Sequence, residues 1–253
     1  RYHMYRLHPF SLVEIPKAGL DALLRFGGFP EPLLKAQERF WRRWQLERMH
    51  RVIHDDVRDM ENVQEIGKLD LLATELPARV GAPLSVESLR KKLCVAHATV
   101  VRWLEIFERM YICYRIAPYG ASRIRAVRKE QKLYLWDWSL VPDAGPRFEN
   151  LVASHLLKYG HYVQDTQGYR MELRFIRDTD RREVDFVVLR DGRPLFAVEC
   201  KSGQRRVSPH IFYFAQRTDI PRFYQVHAGT RDYEKDGFRV LPFHRFCDEV
   251  GLV

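Results

Sequence analysis

Asp185, Glu199 and Lys201 fall within one stretch, "EVDFVVLRDGRPLFAVECKSG" (residues 183–203), and carry charge where a strand is ordinarily apolar. The stretch reads as two β-type runs around Asp191-Gly192. Strand side chains alternate between faces. Val184, Phe186 and Val188 with Phe196, Val198 and Cys200 therefore form one apolar face. The opposite face carries the three charged residues at its open end, with Val187, Leu189, Leu195 and Ala197 deeper in. A two-residue loop would pair Arg190 with Arg193 and put Asp185 across from Glu199 on the other face. A three-residue loop over 190–192, with Gly192 left-handed, pairs Leu189 with Arg193 and brings all three charges together. Matched apolar faces favour the three-residue loop.

Two carboxylates converging on one face repel each other unless a cation holds them, and oxygen ligands of this kind suit Mg²⁺ or Mn²⁺. Such an ion polarises a phosphoryl oxygen and activates water, while a nearby lysine such as Lys201 supplies positive charge to the transition state. Glu149, read as lying in the first turn of the preceding helix, is placed to reach the same ion or a second one. The bland alternative is that E-x-K is common on charged edge strands.

These residues need elements to hold them. Residues 141–253 predict the order αβββαβ. The helix in "PDAGPRFENLVASHLLKYG" buries Phe148, Leu151, Val152, Leu156 and Tyr159. Strands are expected near 170–176, 184–189 and 195–200, a helix near 209–217 and a strand in "RFYQVHAG", with a further strand (238–241) and a short terminal helix appended. Residues 63–140 resemble a winged helix. Ser85 N-caps its second helix, Val100, Leu104 and Phe107 face the core from its third, and "YICYRIAPY" pairs with "KLYLWDW" around a basic loop. In such a fold the third helix enters the major groove and the loop touches phosphate. The exposed groups are then His97, Thr99 and Arg102, and on the loop Arg123, Arg125, Arg128 and Lys129. The alternatives are a protein-binding winged helix and a merely solvated loop. Residues 1–62 read as an extended stretch (Tyr2–Leu7), a helix near 20–26, a break at "GGFPEP" and one long helix striped by Phe40, Trp41, Trp44, Val52 and Ile53. The fold class expected is thus α+β multidomain.

Charge agrees with a polyanionic partner. The formal net charge is +9, and the basic excess is greatest over 63–140, with 13 Lys/Arg against 8 Asp/Glu. Four widely spaced cysteines without C-x-x-C argue against a zinc or disulfide framework and make a reducing cytoplasm the expected compartment. No apolar run is long enough to span a membrane, so none is expected as a partner. No G-x-x-x-x-G-K-[ST] phosphate loop occurs, so ATP hydrolysis is not expected of these 253 residues.

Glu149, then Asp185, then Glu199-Cys200-Lys201 as E-x-K resembles the PD-(D/E)XK, restriction-endonuclease-like superfamily. That resemblance implies that Asp185 and Glu199 bind the divalent ion, that the Cys200 carbonyl adds a ligand, and that Lys201 positions water or stabilises charge. Gln216 matches a polar position used in some members. Along the whole chain, "HPFSLVE", "GGFPEP", "VIHDDVRD", "KLYLWDWSLV", "FENLVASHLL", "EVDFVV" and "VECKSG" follow the order of a prokaryotic AAA+ ATPase group. Proteins of that group carry a C-terminal domain of unknown function with this nuclease-like fold. The likeness implies that the first 15 or so residues end an ATPase core preceding this chain, which alone would bind ATP. The partners expected are nucleic acid, DNA first, that ATPase core in cis, and a homo-oligomer. Three readings stay open: a metal-dependent nuclease module, a non-catalytic nucleic-acid-binding or regulatory module, and a protein-interacting effector that shapes an ATPase oligomer.

Overall fold

A computed structural model of the protein describes residues 3–15, 19–57, 65–120, 130–203 and 206–253. Residues 3–10 form no strand, against the expectation for Tyr2–Leu7. Their backbone groups are committed elsewhere: Arg6 N donates to Asp165 Oδ2 at 3.0 Å and Phe10 N to Gly28 O at 2.7 Å. Helix α1 (Gly19–Phe26) forms where expected. The long helix striped by Phe40, Trp41, Trp44, Val52 and Ile53 forms as well, over residues 38–57. Helix α2 (Pro30–Lys35) stops at Ala36 in the left-handed region, and α3 (Glu38–His50) restarts and runs into a π-helical turn, Arg51–Val57. Phe40, Trp41, Trp44 and Val52 are half-buried along it and Ile53 is fully buried. Trp41 Nε1 donates to Ser139 Oγ (2.9 Å) and Gln45 Nε2 to Asp137 Oδ2 (2.5 Å), fastening this segment to the "WDWS" stretch.

Helices α4 (Ile66–Glu75), α5 (Val86–Leu93) and α6 (His97–Arg109) follow. Ser85 caps α5 as expected, its hydroxyl accepting from Ser88 N at 3.1 Å. The chain then makes an antiparallel pair, β1 (Cys113–Pro118) with β2 (Lys132–Leu135). Arg123, Arg125, Arg128 and Lys129 lie in the connecting loop, outside the described residues.

Helix α7 (Ala144–Gln167) comes next, then strands β3 (Met171–Arg177), β4 (Glu183–Arg190) and β5 (Arg193–Lys201), helix α8 (Pro209–Ala215) and strand β6 (Phe223–His227). This is the αβββαβ order expected. Strand β7 (Tyr233–Lys235), which the sequence reading did not include, β8 (Phe238–Pro242) and helix α9 (Phe243–Val250) complete the chain. The protein is a mixed α+β structure whose eight described strands form one sheet in the order β2-β1-β3-β4-β5-β6-β8-β7. Both faces of the sheet are covered. Phe148, Leu151, Val152 and Leu156 of α7 pack with Phe186, Val188, Phe196 and Val198 on one face. Ile211 and Phe214 of α8 pack with Val184, Val187 and Ala197 on the other.

The β4–β5 turn is shorter than expected. Arg190 pairs directly with Arg193 around Asp191 (φ 50) and Gly192 (φ 77), a two-residue turn with both central residues left-handed. A bulge supplies the odd residue instead. Leu189 opposes Pro194 but Val188 opposes Phe196, which leaves Leu195 unpaired. A second irregularity lies between β3 and β4, where Arg174 opposes Val187 but Ile176 opposes Val184, so Asp185 and Phe186 together face Phe175. The alternation breaks there: Val184 packs with Val187 and Leu189, not with Phe186 and Val188.

Candidate functional site

The second irregularity places Asp185. The β4–β5 ladder runs from Arg190–Arg193 to Phe186–Val198, and beyond it Asp185 turns into the gap between the strands. Its Oδ2 accepts from Cys200 N at 2.7 Å. Glu199 and Lys201 instead continue the Ala197 side of β5. The three charges therefore do not share a single face as expected, because a bulged residue leaves the period-2 alternation. They remain electrostatic neighbours: Asp185 acts on the protonation of both Glu149 and Glu199.

Glu149 and Asp185 meet at a residue the sequence reading did not select. The Lys132 ammonium, completely buried, lies 3.1 Å from Glu149 Oε1, 2.5 Å from Glu183 Oε1 and 3.6 Å from Asp185 Oδ1. The Tyr134 hydroxyl donates to Glu149 Oε1 at 2.7 Å. Lys132 and Tyr134 alternate on β2, so both present to one side. Asn150 holds that strand to α7, its amide donating to Leu135 O and accepting from Leu135 N, each at 2.8 Å. Glu149 stands in the second turn of α7 rather than the first, because the helix starts at Ala144. Gly81 closes over it: a β-carbon there would come within 3.1 Å of Glu149 Oε2.

Glu199 is the buried carboxylate of the site, while Glu149, Glu183 and Asp185 are half-buried. Glu199 Oε1 accepts from Lys201 Nζ at 2.5 Å, while its Oε2 is buried with no well-formed hydrogen bond among the described residues, the Ser208 side chain being the other group that favours its charged form. Burial, then the Asp185 charge, push Glu199 up to about 8, and Lys201 only partly opposes them. The same two causes push Glu149 up to about 7 against Lys132 and Tyr134. Burial pulls the Lys132 ammonium down, but the charges of Glu149, Asp185 and Glu183 outweigh it and hold the group above its ordinary range. The Cys200 thiol is driven well up by burial, then by Asp185, so it is no thiolate ligand. Raised carboxyl pKa values, set first by burial and then by the Asp185 charge, mean that both groups hold a proton more tightly than a free carboxyl does.

The other expected residues lie apart from this cluster. Gln216 follows α8, is exposed, and accepts from Arg217 Nη1 at 3.4 Å. His97 and Arg102 are exposed on α6 and Thr99 is half-buried. Among the described residues no three His, Cys, Asp or Glu side chains are gathered as a ready-made metal site. No described helix is long and apolar enough to cross a membrane. Glu183 had a signal in the sequence, standing two residues before Asp185 as Glu199 stands two before Lys201. Lys132 had none beyond a charge opening an apolar strand.

A family model described as Domain of unknown function (DUF8612) matches residues 17–147, just over half of the chain. The chain belongs to that family. A second model, Domain of unknown function (DUF4143), matches residues 144–246, and that domain is often found in AAA-ATPase-associated proteins. The candidate site of this DUF8612 chain draws on both matched stretches, Lys132 and Tyr134 from the first and the carboxylates of Glu149, Glu183, Asp185 and Glu199 from the second. The chain is similar to an uncharacterized protein of Methanocaldococcus jannaschii, 34% identical over 90 residues, which is 34% of this chain and 18% of that relative. It thus matches less than a fifth of the relative's length. No solved structure matches.

Proposed function

We propose that this chain is a nucleic-acid-processing module, a divalent-cation-dependent phosphodiesterase of the PD-(D/E)XK kind with a winged-helix segment before it. The observation that carries this reading is Glu199 Oε2, a buried carboxylate oxygen with no well-formed hydrogen bond among the described residues, on a group whose proton affinity is raised by burial first and by Asp185 second. An oxygen so placed is costly unless a cation or proton completes it. Asp185 and Glu199 would hold Mg²⁺ or Mn²⁺, with the Cys200 carbonyl as a third oxygen. The N–H and C=O of one strand residue point the same way, and the Cys200 N–H points at Asp185. Mg²⁺ keeps several of its waters, so three protein oxygens suffice. When bound, the ion would supply Lewis-acid polarisation of a phosphate. Lys201, on Glu199, would stabilise negative charge developing on the scissile phosphate. The three helices and hairpin of residues 66–135, together with the basic excess there, support nucleic acid as the partner. The association of the second matched domain with ATPases supports a motor or switch acting in cis, with ATP bound by that partner module, and a homo-oligomer fits such an assembly. A cytoplasmic setting suits the cysteine pattern.

A second reading has its own observation. Lys132 already neutralises part of the Glu149–Glu183–Asp185 cluster, as it would in a fold that keeps its carboxylates for binding or assembly alone. Mn²⁺ calorimetry beside cleavage assays on labelled DNAs and RNAs, using the same preparations, separates the two. On the first reading wild type binds Mn²⁺ and cleaves. Asp185→Asn and Glu199→Gln lose both activities, and Lys201→Ala keeps the ion but cleaves roughly 10²–10³ more slowly. Binding without cleavage favours the second reading. Wild-type cleavage by Asp185→Asn would place the activity outside this site.

A further inference from the structure

Glu149, Glu183 and Asp185 converge on an ammonium that comes from a strand lying before all of them in the chain. We propose that Lys132 is a resident cation of the carboxylate site, a positioning residue that holds the place a second divalent ion would otherwise take. What remains beside Asp185 and Glu199 is then room for one ion, and that clause rests on the cation-dependent reading above.

Three observations carry the proposal. Lys132 is fully buried, and its ammonium lies within 3.6 Å of all three carboxylates, so no water shell competes for it. It is also fixed. Lys132 pairs with Ile116 across the β1–β2 ladder and bridges to Pro83, while Leu84 N donates to Gln131 O at 2.8 Å. A residue anchored on both sides of its backbone is built into the site and is no tether that swings away. Finally, the neighbouring cations sit at the edge of the cluster: Arg177 Nη1 is on the other oxygen of Glu183, Oε2, at 3.2 Å, and Lys201 is on Glu199. Without Lys132, three half-buried carboxylates would face one another with a single guanidinium, Arg177, on the far oxygen of one of them. Breaking such a buried pair from one side is strongly destabilising, because the remaining charge is left uncompensated.

A lysine kept for charge and a lysine kept for packing differ in how a second substitution acts. The test uses the full chain as Lys132→Met, Glu149→Gln and the double variant, followed by thermal denaturation in chelator and by Mn²⁺ titration. Lys132→Met should lower Tm on the order of 10 °C. Glu149→Gln should lower Tm in the wild-type background, where it robs Lys132 of a partner, and raise it in the Lys132→Met background, where it removes a repelling charge. The number of Mn²⁺ ions taken up should rise by one in Lys132→Met. A double variant no more stable than Lys132→Met overturns the proposal, and so does a Lys132→Met protein that takes no additional ion. If Lys132→Met alone does not fold, a cooperative transition regained in the double variant supports the proposal and its absence sinks it. Wild type binding no Mn²⁺ would count against the cation-dependent reading of Asp185 and Glu199, whereas the sign reversal at Glu149 tests Lys132 by itself.

Discussion

Two carboxylates in the site answer to the same causes, burial first and the Asp185 charge second, which lift Glu199 to about 8 and Glu149 to about 7 from an ordinary 4.5. In the folded protein each holds a proton that the unfolded chain gives up above pH 4.5. Stability therefore falls as pH rises from there through 7 to 8. Three histidines, His155 buried and His8 and His161 half-buried, work in the opposite sense. His8, His155 and His161 are pulled down to between about 3 and 4, mainly by burial, so their contribution grows as pH rises toward 6.5 and is then complete. Between pH 6.5 and 8 the carboxylates act without that opposition. In chelator, wild-type stability should drop by on the order of 1 kcal/mol per pH unit for each group until its raised pKa is passed, at about 7 for Glu149 and about 8 for Glu199. Glu199→Gln should show a shallower drop because that group no longer titrates, and Asp185→Asn should lessen the drop in part at both groups, since burial, the larger cause, remains. Urea denaturation at several pH values measures this, and parallel slopes in wild type and Glu199→Gln would count against the assignment. At this scale the sequence showed the acidic and basic residues of the hairpin and Glu149 of α7. It did not show Lys132, whose partners lie 17, 51 and 53 positions further along the chain. Only the packing of β2 against α7 and β4 makes that lysine part of the site.

The β4–β5 hairpin shows why elements were more legible than their register. Alternating apolar residues placed both strands within a residue or two of their observed ends, and Ser85 marked its helix correctly. Matching apolar faces then implied an odd-length loop, on the assumption of an unbroken ladder. The real hairpin keeps the Asp191-Gly192 turn and places the extra residue at Leu195, beside Pro194, which lacks an amide hydrogen for the ladder. A second bulge, at Asp185 and Phe186 opposite Phe175, turns the key carboxylate into the strand gap. Nothing local in the composition of "EVDFVV" signals it. The short helix α2 is a similar case, since Ala36, which ends it, takes a left-handed conformation that alanine rarely favours. The turn itself is testable. Gly192 has φ 77, and a β-carbon added there would meet open space, so Gly192→Ala meets backbone strain alone. The expected cost is about 1–2 kcal/mol in equilibrium denaturation. Loss of no stability at all would argue that the turn is not left-handed there.

Across the whole molecule, one sheet carries the β1–β2 hairpin and the carboxylate-bearing strands together. Ala117 pairs with Arg174 and Pro118 with Phe175, so the hairpin that supplies Lys132 also abuts the strand next to Asp185. Composition made the basic bias of residues 63–140 visible, yet it could not reveal that this stretch completes the site of the next one. The same hairpin ends in the loop that carries Arg123, Arg125, Arg128 and Lys129. If nucleic acid reaches the carboxylates along this side, those four residues contact phosphate and release counterions as they do so. Replacing all four with Ala, while leaving Lys132 in place, removes up to four phosphate contacts. For duplex DNA the slope of log K against log salt should then shrink by up to about 3–4 units. The effect should be uniform across sequences, since phosphate contacts position the duplex without reading its bases. Fluorescence anisotropy over a range of salt concentrations provides the measurement. An unchanged slope together with unchanged affinity would put the nucleic-acid surface elsewhere, with the exposed start of α6 at His97 and Arg102 as the next face to substitute.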